Sequence, residues 1–145
     1  MSNPSQSCID LIKRSEGLSV KPYRDLAGFW TVGYGHKLTD AELSAQPLSL
    51  AVIDEMLQAD TDTACAQVHK LVTVPLSQGK LDALTDFVFN LGAGRLAGST
   101  LLKLLNAGNY AAAGQELLKW DMAGGRVQPG LIARRKAELA MWVTA

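Results

Sequence analysis

Apolar residues recur every three or four positions along most of this chain, and the pattern changes to strict alternation in one place only. In residues 5–16, Cys8, Ile9, Leu11 and Ile12 are interleaved with Asp10, Lys13 and Arg14. This spacing predicts a short amphipathic helix, and Gly17 supplies a glycine stop. From Tyr23 to Tyr34 the period shortens to two: Trp30, Val32 and Tyr34 alternate with Thr31 and Gly33. Asp25-Leu26-Ala27-Gly28 has turn composition, so the stretch reads strand, turn, strand. Thr39 with Glu42 three residues later is a capping box for a short helix. From Ser49, Leu50, Ile53, Leu57, Ala64, Val68 and Leu71 hold one face for about six turns, ending before Thr73-Val74-Pro75. Residues 77–91, 99–106, 109–120 and 129–143 read as four more helices. Leu91-Gly92-Ala93-Gly94 and Ala123-Gly124-Gly125 separate them, and Pro129 suits a first helical position.

These elements predict an α+β fold, mostly helical, within one domain of 145 residues. The expected layout is a small N-terminal lobe at about 15–60 built on the hairpin and a connecting helix at about 49–71. A helical C-terminal lobe at about 75–145 would be joined by the N-terminal helix. Hydrophobic residues make up 48%, enough for a packed core. Lys plus Arg equals Asp plus Glu at 14 each, so net charge points to neither nucleic acid nor an anionic surface. Locally the balance differs. Residues 40–62 hold six acidic side chains and no Lys or Arg, whereas residues 119–136 hold five basic ones against Asp121 alone. Both runs suit solvated helix faces. The functional alternative is that the basic stretch faces a cleft and holds an acidic ligand.

Candidate chemistry is concentrated between Glu16 and His36. Glu16 falls in the last turn of its helix, where unpaired carbonyls and the macrodipole disfavour a carboxylate and so favour the protonated form. Asp25 falls on a solvated turn, where it is expected to stay ionised. A carboxylic acid beside a carboxylate is the equipment for acid/base cleavage of a glycosidic bond. Thr31, six residues after Asp25, adds a hydroxyl able to hold a water, and Gly33 and Gly35 allow a ligand close to the backbone. Taken singly, capping explains Glu16 and turn formation explains Asp25. Spacing alone does not show that the side chains converge.

The string E-G-x5-Y-x-D-x2-G-x2-T-x-G-x-G-H, running without a gap from Glu16 to His36, resembles the active-site signature of the phage-type lysozyme family of muramidase endolysins. The resemblance continues through Asp86-Phe87-Val88-Phe89-Asn90-Leu91-Gly92, Gly98-Ser99-Thr100-Leu101-Leu102, Trp120 with Gly124-Gly125, and the segment from Pro129 to Glu138. It implies a lysozyme-like fold and hydrolysis of the β-1,4 bond between N-acetylmuramic acid and N-acetylglucosamine in peptidoglycan, leading to host cell lysis. It also implies Glu16 as proton donor, Asp25 as second carboxyl and Thr31 as the residue positioning water. Gly35, Lys37, Phe89, Asn90 and Arg134 are the candidates for substrate binding, and Arg134 could equally reach Glu16. A lytic transglycosylase and a catalytically silent wall-binding module are the alternatives on the same fold. The presence of both carboxyls and Thr31 favours the hydrolase.

No cofactor or metal is expected. Cys65 and His69 have a helical metal-ligand spacing but lack a third ligand, and Cys8 and Cys65 are not expected to pair in a chain made in the cytoplasm. No segment has the ~18 apolar residues of a membrane span. The expectation is therefore a monomer that waits in the host cytoplasm and reaches the periplasm and cell wall at lysis through a separate holin pore. His36 is expected to be a structural residue.

Overall fold

The computed structural model describes residues 2–44 and 48–144. Helix α1 (Gln6–Glu16) ends at Gly17, whose φ of 71° lies in the left-handed region that favours glycine. A three-stranded antiparallel sheet follows, in the order β1 (Ser19–Arg24), β2 (Trp30–Gly33), β3 (His36–Lys37). Its register aligns Tyr23, Thr31 and Lys37 across the three strands. The first strand begins four residues earlier than the alternation predicts, with an irregular register between Ser19 and Tyr23. Pro22 lies in that interval and has no N–H for the ladder.

Helix α2 (Asp40–Ser44) carries the capping box. The Thr39 N–H donates to Glu42 Oε1, and the Glu42 N–H donates to Thr39 Oγ1. Helix α3 (Leu50–Leu71) starts at Ser49, which accepts the Val52 N–H, and runs unbroken for 22 residues. Next come α4 (Gln78–Leu91), α5 (Ala93–Ala97), α6 (Thr100–Asn106) and α7 (Tyr110–Glu116), which tightens into a 3₁₀ turn at Leu117–Lys119. A small hairpin, β4 (Met122–Ala123) and β5 (Arg126–Val127), leads into α8 (Pro129–Trp142).

The main core surrounds α4, whose residues from Leu81 to Val88 are all buried. The second half of α3 and the helices α5 to α8 supply the rest, with Leu84, Phe87, Leu96, Leu105, Leu117 and Trp142 at its centre. A smaller cluster joins Cys8 and Ile12 of α1 to Leu57 of α3, with Tyr34 and Phe89 packed against it. That cluster brings the end of α1 up to the sheet and to the end of α4.

Two glycine-rich stretches read as plain separators are in fact structured. Gly92, with φ 93°, ends α4 and starts the five-residue α5, which is too short to show a helical period. Gly124 and Gly125, both with positive φ, form the two-residue loop of the β4–β5 hairpin. Cys8 and Cys65 are buried free thiols. Cys65 and His69 both meet the Ser2 carbonyl, at 3.6 and 2.7 Å, so their helical spacing serves to hold the N-terminal arm.

Candidate functional site

Glu16, Asp25 and Thr31 line one cleft of about 420 Å³ between the sheet and the end of α4. Tyr23, Gly35, Lys37, Phe89 and Asn90 line it as well. Each catalytic candidate arrives from a different element, and each is fixed by a local cause.

Glu16 is the last residue of α1, and Gly17 turns the chain so that the side chain faces the sheet. Its two oxygens have different neighbours. Oε1 accepts a hydrogen bond from Arg134 Nη1 at 2.7 Å. Oε2 lies on the Gly35 side, where an added Cβ would come within 3.0 Å of it. Arg134 thus sets a buried positive charge against the carboxyl group that ends the helix.

Asp25 follows β1 and closes the turn. Its Oδ1 accepts the N–H groups of Ala27 and Phe29, both at 2.9 Å. Its Oδ2 has no hydrogen-bond partner among the described residues. Thr31 on β2 is buried, and its hydroxyl donates to the Phe29 carbonyl at 3.0 Å. The donor is thereby used, and the oxygen lone pairs remain.

Arg134 lies outside the cleft lining, 5% exposed, with three nitrogens committed to carboxylates. Nε and Nη2 donate to the two oxygens of Asp86 at 2.9 and 2.8 Å, a bidentate pair, and Nη1 donates to Glu16. Of the two contacts expected of Arg134, the structure supplies the one to Glu16. Arg135 is fully buried. Its Nη2 donates to Asn90 Oδ1 at 2.8 Å and to Glu138 Oε2 at 2.9 Å. Its Nε stands 2.8 Å from Glu138 Oε1, close enough for charge attraction but out of line for a hydrogen bond. Asn90 thus presents its amide to the cleft from a carbonyl held behind.

Burial opposes charge on Asp86, yet bonding with Glu138 and Arg134 and the charges of both arginines hold its carboxyl below the usual range. Burial, reinforced by Asp86, pushes Glu138 well above that range. This network corrects one expectation: the basic C-terminal stretch does not turn as a whole toward the cleft, because Arg134 and Arg135 are spent inside it. Nothing local in the sequence marked Asp86 or Glu138 as its members, apart from acidic residues at positions where the helical period calls for core.

His36 is held from both sides, Nδ1 to Asp60 Oδ2 at 2.7 Å and Nε2 to Glu42 at 3.1 Å. A second groove of about 290 Å³ shares Gly35, Lys37 and Phe89 with the first and continues along α3 past Asp60, Thr63 and Gln67. Among the described residues, no group of three or more His, Cys, Asp or Glu side chains is arranged to hold a metal.

The Phage lysozyme family model matches residues 13–138. An endolysin of Acyrthosiphon pisum secondary endosymbiont phage 1 is 41% identical over 147 residues, covering 97% of this chain and 98% of that one. An endolysin of Bacillus phage B103 is 40% identical over 144 residues, covering 98% of this chain but 54% of the relative, so the chain spans about half its length. A crystal structure of a P22 lysozyme mutant superposes with a TM-score of 0.86 at 34% identity, covering 99% of this chain and 100% of that one.

Proposed function

The chain belongs to the phage lysozyme family, and on that premise we propose that it hydrolyses the β-1,4 bond between N-acetylmuramic acid and N-acetylglucosamine in peptidoglycan as the lysis enzyme of a phage. The carrying observation is that Glu16, Asp25 and Thr31 line one cleft although they come from a helix end, a turn and a strand.

The donor and acceptor pattern supports an assignment of roles. Arg134 occupies Glu16 Oε1 as a donor, so the proton to be delivered belongs on Oε2, on the Gly35 side. Glu16 gives that proton to the departing glycosidic oxygen. With Oδ1 anchored by two backbone N–H groups, Asp25 has Oδ2 left to accept from a water. Thr31, whose own hydrogen points to the Phe29 carbonyl, accepts the second water hydrogen. A water so held has its oxygen lone pairs free for the anomeric carbon, and its proton passes to Asp25 as the new bond forms. That is the inverting course. Direct attack by Asp25 would be the retaining one. Lys37, Phe89 and Asn90 hold the substrate beside the reacting bond, and Gly35 lets it approach. Action as a monomer and passage to the wall through a holin-type pore belong to the same proposal. No helix among the described residues is long and apolar enough to cross a membrane.

Digestion of purified sacculi, with fragments read by mass spectrometry, tests this reading. Hydrated reducing-end muramic acid is expected from the wild type. Glu16→Gln keeps an acceptor for Arg134 but has no acid proton, and turnover is expected to fall by roughly 10²–10⁴-fold. Anhydro-muramic ends would identify a transglycosylase, and an absence of fragments would leave a binding module.

A further inference from the structure

We propose that Lys37, seated on the ring of Phe29, is the anion-recognition residue of the cleft and takes a carboxylate of the substrate's peptide stem. This rests on the peptidoglycan reading above. Lys37 lines both halves of the continuous groove. It is exposed, and it makes no ion pair among the described residues. Its Nζ lies over the Phe29 ring, 4.5 Å from the centroid.

The other cations near the groove are committed. Arg134 and Arg135 are buried in the carboxylate network, and His36 lies between Asp60 and Glu42. Arg24 donates Nη1 to the Gly28 carbonyl at 3.2 Å and pairs across the ladder with Trp30, one register position away from the Tyr23–Thr31–Lys37 row, outside the groove lining. Asp25 and Asp60 set negative charge along the groove, and among the described residues lining it Lys37 is the one Lys or Arg available to offset that charge for an anionic ligand. The glycan gains its free anions from the stems, because a stem converts the muramic carboxyl into an amide and brings carboxylates of its own.

Phe29 is the second part of the device. It is 54% exposed and lies just before β2, so its ring is open to the ammonium. Attraction between the ammonium and the ring face holds the flexible lysine stem over the cleft, so less side-chain freedom is lost when an anion binds.

The test uses soluble uncrosslinked glycan strands with intact stems, before and after carbodiimide-driven conversion of their carboxylates to amides. Wild-type kcat/KM is expected to fall about ten-fold on amidation, the weight of one charge-assisted bond, carried mainly in KM. Lys37→Met is expected to cut both forms at the same reduced rate, and Lys37→Arg to recover most of the preference. Phe29→Leu is expected to keep part of it, about three-fold, with a melting temperature close to wild type. A Lys37→Met enzyme as sensitive to amidation as the wild type, or a wild type indifferent to it, overturns the inference. A wild type that cuts neither form instead overturns the hydrolase reading on which this one rests.

Discussion

Gly35 shows how narrowly the site is built at the level of single residues. Its φ of 78° puts it in the left-handed region, and a methyl group there would sit 3.0 Å from Glu16 Oε2. Gly35→Ala therefore acts in two ways. Backbone strain costs about 1–2 kcal/mol of stability. The carboxylate end is flexible and can give way, so the contact itself is relieved by moving the proposed acid. Displacement of a reacting group by about 1 Å costs up to roughly 10²-fold in rate. The expected outcome is a folded variant with a modestly lowered melting temperature and at least a ten-fold loss of turnover, measured side by side on the same preparation. Turnover at the wild-type level would show that Glu16 does not work from this position. The sequence alone made Gly35 a point of close approach. It named a ligand as what approaches and not Glu16, because Glu16 lies nineteen residues away on another element.

At the scale of elements, the long helices were legible because their apolar periods are long. The sequence predicts a helix from Ser49 to Leu71, and α3 spans Leu50–Leu71. It predicts one from 129 to 143, and α8 spans Pro129–Trp142. Helix α5 and the second hairpin escaped for the opposite reason: α5 has five residues, and each strand of the hairpin has two. How helices approach one another was not legible at all. Gly114 of α7 faces Trp142 of α8, and a Cβ there would lie 2.5 Å from the indole Cδ1. Trp142 cannot readily yield, being 2% exposed with Nε1 bonded to the Tyr110 carbonyl at 2.8 Å. Alanine in a helix interior gains roughly 1 kcal/mol over glycine, whereas overpacking a tight core costs about 1–3 kcal/mol. Gly114→Ala is thus expected to be destabilising on balance, lowering the midpoint of thermal unfolding by several degrees. A raised midpoint would mean that the α7–α8 contact is looser than the structure shows.

Across the whole molecule, His36 ties the sheet to α2 and α3. Burial disfavours its charged form, but bonds to Asp60 and Glu42, and their charges, outweigh burial and raise the pKa above the ordinary 6.5. The folded state then binds the proton more tightly than the unfolded state does. Stability from this clamp is fully present below pH 6.5 and is lost as pH rises through the raised value. Glu42 has the opposite sign: backbone bonding from Thr39, together with His36, lowers its pKa, so its contribution disappears in acid. Thermal melts at a series of pH values are expected to show the wild type weakening above 6.5, and His36→Asn should flatten that limb. An unchanged limb in the variant would place its cause in another group.

The sequence by itself determined the run of helices and the strand–turn–strand, and made Glu16, Asp25 and Thr31 the candidates, since all of these follow from local period, turn chemistry and a contiguous string. Tertiary structure decided everything that joins distant positions. Arg134 meets Glu16 across 118 residues and Asp86 across 48, and Arg135 meets Asn90 across 45. A buried charge is tolerable only beside its partner, and no local pattern names a partner that far along the chain. The same packing buries Arg134 and Arg135 and leaves Lys37 facing the cleft, a distinction that the basic residues do not carry in the sequence.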